Sequence, residues 1–329
     1  SGAGALAFQK TLTVTEEFDN TGATGAETVM EAATIKKLTH KGTCTLSFTK
    51  KATVQNQFTD TTGSGALSFN GGADFQFTTE AHFQSTGKLT LKGECKFAGD
   101  FKRTGGETDL GKDSTSSPEV NGTLTTAAAN KNITFSGTGA KLTAVDAGCS
   151  VTAGSGACTF ADKVTATGSN DLTVETTGTA TFEQGVETNS KLTLKCTHTE
   201  IKGDNTFMTL NIDNSSITAA TDVKFEGGKT QTIKNTFTPP STPWFKGKDV
   251  SNRLTIESTD GTKCKIYFTN TPVADCFKWV TVKNAKGKKS GMEPDLNLYQ
   301  SNDKVKDHNF TEPTTEGFFS QEYTWIGSA

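Results

Sequence analysis

Apolar and polar residues alternate in short runs along most of the chain, as in Phe75-x-Phe77, Leu89-x-Leu91 and Leu192-x-Leu194-x-Cys196. A period of two marks a β-strand with one face turned inward. Gly, Asn and Asp break each run after a few residues, which predicts short strands joined by tight turns. A longer rhythm overlies the alternation. The motif Gly-small-x-small-Phe recurs at Gly4, Gly65, Gly156 and Gly178. Phe48 and Phe69 are 21 residues apart, Phe69 and Leu91 are 22 apart, and so are Phe160 and Phe182. Strand patterns that return at such a period predict a stacked solenoid.

The residue types select which solenoid. Leucine-rich, ankyrin and tetratricopeptide repeats need helical segments or fixed signatures that this chain lacks. The best helical candidate is 25–38, which reads either as an N-terminal cap or as one more irregular coil. The expected fold is therefore all-β, a right-handed parallel β-helix with coils of about 20–25 residues. Its structural core is expected at Phe8, Phe48, Phe69, Leu91, Phe160, Phe182 and Leu194, with Thr and Lys outside. Residues 103–119 lack alternation and read as a loop projecting from one coil. The solenoid is expected over 1–236, with less regular coils to about 290 and a loop-rich tail beyond. The boundary falls where composition changes. All three Trp (244, 279, 325), all three Tyr (267, 299, 323) and six of seven Pro lie in 237–329.

Composition agrees with strands over helices. Hydrophobic residues make up 33% of the 329, and threonine, with about 60 copies, fills much of the gap beside 33 Gly and 22 Phe. The net charge is −3, with only two arginines, Arg103 and Arg253. That balance argues against a nucleic-acid partner, which needs basic patches and Arg forks. Charge is unevenly placed, since 224–289 carry 13 Lys and Arg against 5 Asp and Glu. No apolar run approaches the roughly 18 residues of a membrane-spanning helix. No signal peptide stands at the start, although Ser1-Gly2-Ala3-Gly4 could follow the removal of one.

Seven cysteines (44, 95, 149, 158, 196, 264, 276) cannot all pair within the chain. No CxxC occurs and the four His are scattered, so neither a zinc site nor a cofactor is expected. Cys44 and Cys158 stand in the slot held by Leu6 and Leu67 in the repeated motif, as small buried hydrophobes. Cys264 and Cys276 flank a turn at 270–273 and are the candidate disulfide, with two more core thiols as the alternative.

Catalytic signatures are missing. Asp and Glu are dispersed, without the carboxylate pairs that glycan-cleaving β-helices stack on one face. There is no Gly-x-Ser-x-Gly elbow. Gly137-Thr-Gly-Ala-Lys-Leu-Thr143 lacks phosphate-loop spacing, and Gly71-Gly72 and Gly227-Gly228 read as turns. Asn121, Asn132, Asn214 and Asn309 match glycosylation sequons, which chance supplies in a chain so rich in Thr and Asn.

One resemblance can be named. It rests on Gly203-Asp-Asn-Thr-Phe-Met-Thr-Leu-Asn-Ile212 and Val223-Lys-Phe-Glu-Gly-Gly-Lys-Thr-Gln-Thr-Ile233. Leu254-Thr-Ile-Glu-Ser-Thr-Asp-Gly-Thr262 and Phe277-Lys-Trp-Val-Thr-Val-Lys-Asn284 continue it. With these segments, 203–329 resembles the β-helical passenger regions of bacterial surface adhesins, filamentous-haemagglutinin-like and autotransporter-type proteins. Tyr323-Thr-Trp-Ile-Gly327 resembles the start of a following module, which implies one piece of a longer precursor. The resemblance implies an extracellular, non-catalytic surface protein. Its expected partner is a host or environmental ligand, glycan or protein, or copies of itself in a filament or lattice. A polysaccharide-acting β-helix enzyme is the third alternative.

Overall fold

A computed structural model describes residues 5–104, 106–111, 123–126, 133–135, 142–144, 149–166, 171–234, 245–249, 251–269, 277–282, 284–289 and 296–297. The described chain is all-β, with stacked parallel strands forming a β-solenoid. It gathers into two compact units, Ser1–Gly178 and Thr179–Ala329.

In the first unit three files of strands stack coil on coil. The first file runs Leu6–Phe8, Glu27–Val29, Leu46–Phe48, Leu67–Phe69, Leu89–Lys92, Thr108–Gly111, Leu142–Ala144 and Val164–Ala166. The second begins with Leu12–Asp19, Ala33–His40, Ala52–Asp60 and Ala73–Phe75. Its first three strands are long and shift register near Val14 and Ile35, so each turns a corner without ending. In later coils that corner becomes a break, and a third file appears as Ala81–Phe83, Phe101–Arg103, Ile133–Phe135 and Cys158–Phe160.

The three-residue strands show why so little apolar residue suffices. Leu46–Phe48, Leu67–Phe69, Ala73–Phe75 and Ala81–Phe83 each bury their first and third residues and leave the middle one half-exposed. Two inward side chains per strand close a thin core, each worth about 1.5–3 kcal/mol when the residue is large. Small and large residues complement one another across it. Ala33, Ala52 and Ala73 form one register file, while Val29, Phe48, Phe69 and Leu91 form another. Phe58, Phe75, Phe83, Phe97 and Phe101 meet in stacked, tilted and edge-on contacts.

Glycines let the corners of successive coils approach. A Cβ on Gly87 would come within 3.0 Å of the Gly65 carbonyl, and one on Gly65 within 3.0 Å of the Cys44 carbonyl. Gly72, the second residue of its Gly-Gly turn, adopts φ +87°, where any side chain would be strained.

In the second unit Val186–Ile201 pairs with Asn205–Asp213 and with Thr221–Phe225. Leu254–Ser258 and Val280–Val282 extend that file, and Thr230–Ile233, Cys264–Phe268 and Ala285–Lys289 form another. Coils thus continue beyond residue 236. Lys286 and Gly287 pair antiparallel with Leu296–Asn297.

The strands decide between the readings of 25–38 and change that of 103–119. Residues 25–38 hold no helix: they form Glu27–Val29 and most of Ala33–His40. Val29, Ala33, Ile35 and Leu38 are buried on these strands, the step from Ile35 to Leu38 spanning the register shift, so tertiary burial overrides the helix-forming Glu and Ala. Arg103 and 108–111 belong to the coils, not to a projecting loop. Residues 112–119 of that expected loop lie outside the described residues.

Candidate functional site

The expected core residues lie in different files. Phe48, Phe69 and Leu91 share one, in register and fully buried. Phe160 belongs to the third file, in register with Phe135, so the repeated Gly-small-x-small-Phe motif marks two different faces. Phe182 and Leu194 are buried, and Phe8 is half-buried on the first described coil, edge-on to Phe18. The slot of Leu67 is held by Leu46, with Cys44 two residues earlier at a corner. Cys158 takes the register position of Ile133. A turn can gain residues without moving the strands, so sequence motif and register part company there.

Six cysteines are buried thiols outside any disulfide: Cys44, Cys95, Cys149, Cys158, Cys196 and Cys264. Burial pushes Cys95 and Cys264 up to about 12 and raises Cys44 as well. Cys276, the expected disulfide partner of Cys264, lies outside the described residues, as do Asn121, Asn132 and Asn309. The fourth sequon residue, Asn214, is buried, and its Oδ1 accepts the Cys196 N–H at 3.1 Å.

The densest polar cluster runs down one corner of the first unit. Asn20, His40 and Asp60 recur every 20 residues at strand ends, and all are buried. His40 Nδ1 lies 2.7 Å from Asp60 Oδ1, and His40 Nε2 lies 3.0 Å from the Cys44 carbonyl oxygen. Asp60 Oδ2 accepts the backbone N–H groups of Gln84 and Ser85 at 2.7 and 2.8 Å. One coil further, Arg103 points inward with 0% exposure. Its Nη2 donates to the Gly87 carbonyl at 2.5 Å and its Nη1 to Ser85 Oγ at 3.5 Å. Burial lowers the guanidinium to about 10, opposed by the negative charge of Asp60.

A histidine backed by a carboxylate is the base of many hydrolytic sites. Here Nε2 faces a backbone carbonyl where a nucleophile would stand, and neither His40 nor Asp60 side chain has any exposure. The arrangement ties coils together. The second unit uses neutral groups for the same task. Asn205 Oδ1 accepts the Val186 N–H at 2.5 Å, and its Nδ2 donates to Gln231 Oε1 at 2.7 Å, both residues being buried.

Outward positions carry different chemistry. Thr28, Ser47, Ser68 and Thr90 form one register file, and Thr13, Thr34 and Thr53 another. Ion pairs link neighbouring coils, among them Lys202–Glu183 at 2.6 Å and Lys224–Glu257 at 3.3 Å. His198 Nδ1 meets Asp222 Oδ2 at 2.6 Å on an exposed face. Of the aromatic residues beyond 237, Trp279 lies 5.9 Å from the Arg253 guanidinium, while Trp244, Tyr299, Tyr323 and Trp325 fall outside the described residues. Among the described residues no group of three or more His, Cys, Asp and Glu is placed to hold a metal ion, and no helix could cross a membrane.

Known proteins add nothing further: no family, no curated protein and no solved structure matches the chain.

Sequence reasoning missed the corner ladder and the inward Arg103. The ladder did leave a signal, because Asn20, His40 and Asp60 stand at the coil period just after apolar alternation ends. Arg103 left none, since a charged residue in a strand is expected to face water.

Proposed function

We propose that this chain is a non-catalytic surface protein of a bacterium, displayed outside the cell, whose solenoid presents its outer faces to a surface ligand in the manner of an adhesin. The observation that carries the reading is the division of polar chemistry between inside and outside. The cluster of His40, Asp60 and Arg103 is sealed in the core, while outward files repeat small hydroxyls and paired charges, the exposed His198–Asp222 pair among them. A partner would therefore meet broad faces of repeated side chains, which suits adhesion more than turnover. Burial and raised pKa values keep the thiols unreactive, which makes them compatible with an oxidising environment outside the cell. The adhesin-like pattern in 203–329 points the same way.

The test is protease treatment of intact producing cells, followed by attachment of the purified chain to host cells and matrix glycans. Release of its peptides and saturable attachment are expected. Confinement to lysed cells, or measurable cleavage of a polysaccharide, would overturn the reading. Filaments of the purified chain by electron microscopy would replace adhesion with a structural-subunit role.

A further inference from the structure

We infer that one outer face of the second unit, built from Thr230–Ile233, Cys264–Phe268 and Ala285–Lys289, binds an acidic polysaccharide, a chain of carboxylate-bearing sugars. The inference names a ligand class for the adhesive reading above and rests on it.

The three strands are parallel and in register. Thr230 pairs with Lys265 and Lys265 with Lys286; Thr232 pairs with Tyr267 and Tyr267 with Lys288. The alternate positions Gln231, Ile233, Cys264 and Ile266 are buried, which sets Lys265 and Tyr267 on the outer side. Lys229 and Lys234 flank the first strand, half-buried and exposed. The third strand lies in Lys283-Asn-Ala-Lys-Gly-Lys-Lys289, four lysines in seven residues without an acid. Such a run marks polyanion patches. Acids in the adjoining turns are engaged by backbone: Asp204 Oδ1 accepts the Thr230 N–H at 2.7 Å, and Asp260 Oδ1 the Thr262 N–H at 2.9 Å.

Three features select the ligand. Coils repeat at about 4.8 Å, so the paired register positions of Lys265 and Lys286 are one step apart along the backbone, near the length of a single sugar in an extended chain. Lysine is a compact, hydrated point charge that suits a row of separate carboxylates, whereas bidentate grip on phosphate calls for Arg. These three strands contain no Arg. Tyr267 adds an amphipathic ring beside the cations, a single surface against which a sugar ring can lie. A nucleic-acid strand would need successive stacking partners.

The experiment passes the full chain over immobilised polygalacturonate, neutral dextran and single-stranded DNA, at low and high salt. Variants are Lys265→Gln alone, the triple Lys265→Gln/Lys286→Gln/Lys288→Gln, and Tyr267→Ser, each checked for an unchanged circular dichroism spectrum and urea midpoint. The expected result is binding to polygalacturonate that weakens with salt, drops about tenfold or more in the triple variant, and falls partway in the other two. Dextran should not bind, and DNA should bind more weakly. Equal binding by the triple variant, or DNA bound as tightly as polygalacturonate, would overturn the inference. A chain that attaches to cells and ignores polygalacturonate fails this inference alone. A chain that attaches to neither fails the adhesive reading too.

Discussion

Phe48 and Phe69 lie directly over one another on adjacent coils, with Cα register, ring centroids 5.2 Å apart and ring planes within 3° of parallel. Phe75 meets the edge of Phe69 at 5.5 Å, so Phe69 is held on two sides by aromatic surface. Phe69→Ala should remove both contacts and leave a cavity that the strands above and below keep open. The expected cost is about 3–5 kcal/mol, read from the urea midpoint. An unchanged midpoint would contradict the inward placement.

The same pair shows what the sequence could disclose. Alternation and a period near 21 residues make Phe48 and Phe69 neighbours from the sequence alone, because side-chain direction in a strand depends only on parity. The parity rule fails at corners. Aligning Gly42–Leu46 with Gly65–Phe69 by motif matches Cys44 to Leu67, whereas the register pairs Leu46 with Leu67. Corners also hold what a hydropathy pattern reads as solvent-exposed: Asn20, His40, Asp60 and Ser85 are polar, and all are buried by contacts with other coils. The lysine-rich 224–289 segment was legible as a charge cluster, but it is divided over several strand files. Only strand pairing puts Lys265 beside Lys286.

Asp60 is the hub of the corner ladder. It meets His40, takes two backbone N–H groups, and offers its charge to Arg103. Asp60→Ala would strand a buried guanidinium, whose Nε already lacks a hydrogen-bond partner, and would orphan the Gln84 and Ser85 amides. Removing one member of a buried charged set costs about 3–5 kcal/mol. Asp60→Asn keeps an acceptor and should cost less. Chemical denaturation of both variants checks the order, and an Asp60→Ala protein as stable as the parent would show that the ladder ties nothing.

The buried thiols should be silent in the folded protein. With Cys95 and Cys264 pushed up to about 12 by burial, the thiolate is scarce near neutral pH and no reagent reaches it. Iodoacetamide at pH 8, mapped by mass spectrometry, should leave Cys44, Cys95, Cys158 and Cys264 unlabelled until denaturant is added. Rapid native labelling of Cys95 would show that its coil opens or that its side chain faces out.

Glu27 occupies the inward register position between Leu6 and Leu46, where every pattern-based reading asks for an apolar residue. Its Oε2 is buried without a hydrogen-bond partner, and burial raises its pKa, against smaller opposing effects from Asn20 and His40. A carboxyl whose folded pKa exceeds its unfolded value binds more protons in the native state. Its ionisation therefore costs stability as pH rises above the ordinary carboxylate range. Glu27→Gln should accordingly be more stable than the parent at pH 7. That advantage should shrink toward about pH 4, where the parent's raised carboxyl is already mostly protonated. Glu27→Leu should stabilise further at pH 7, since it continues the apolar file of Leu46 and Leu67. Thermal melts of the three proteins at both pH values decide the matter. A Glu27→Gln protein less stable at pH 7 would mean that the charge is compensated by the corner groups, and equal stabilisation at both pH values would mean that ionisation is not the source of the gain.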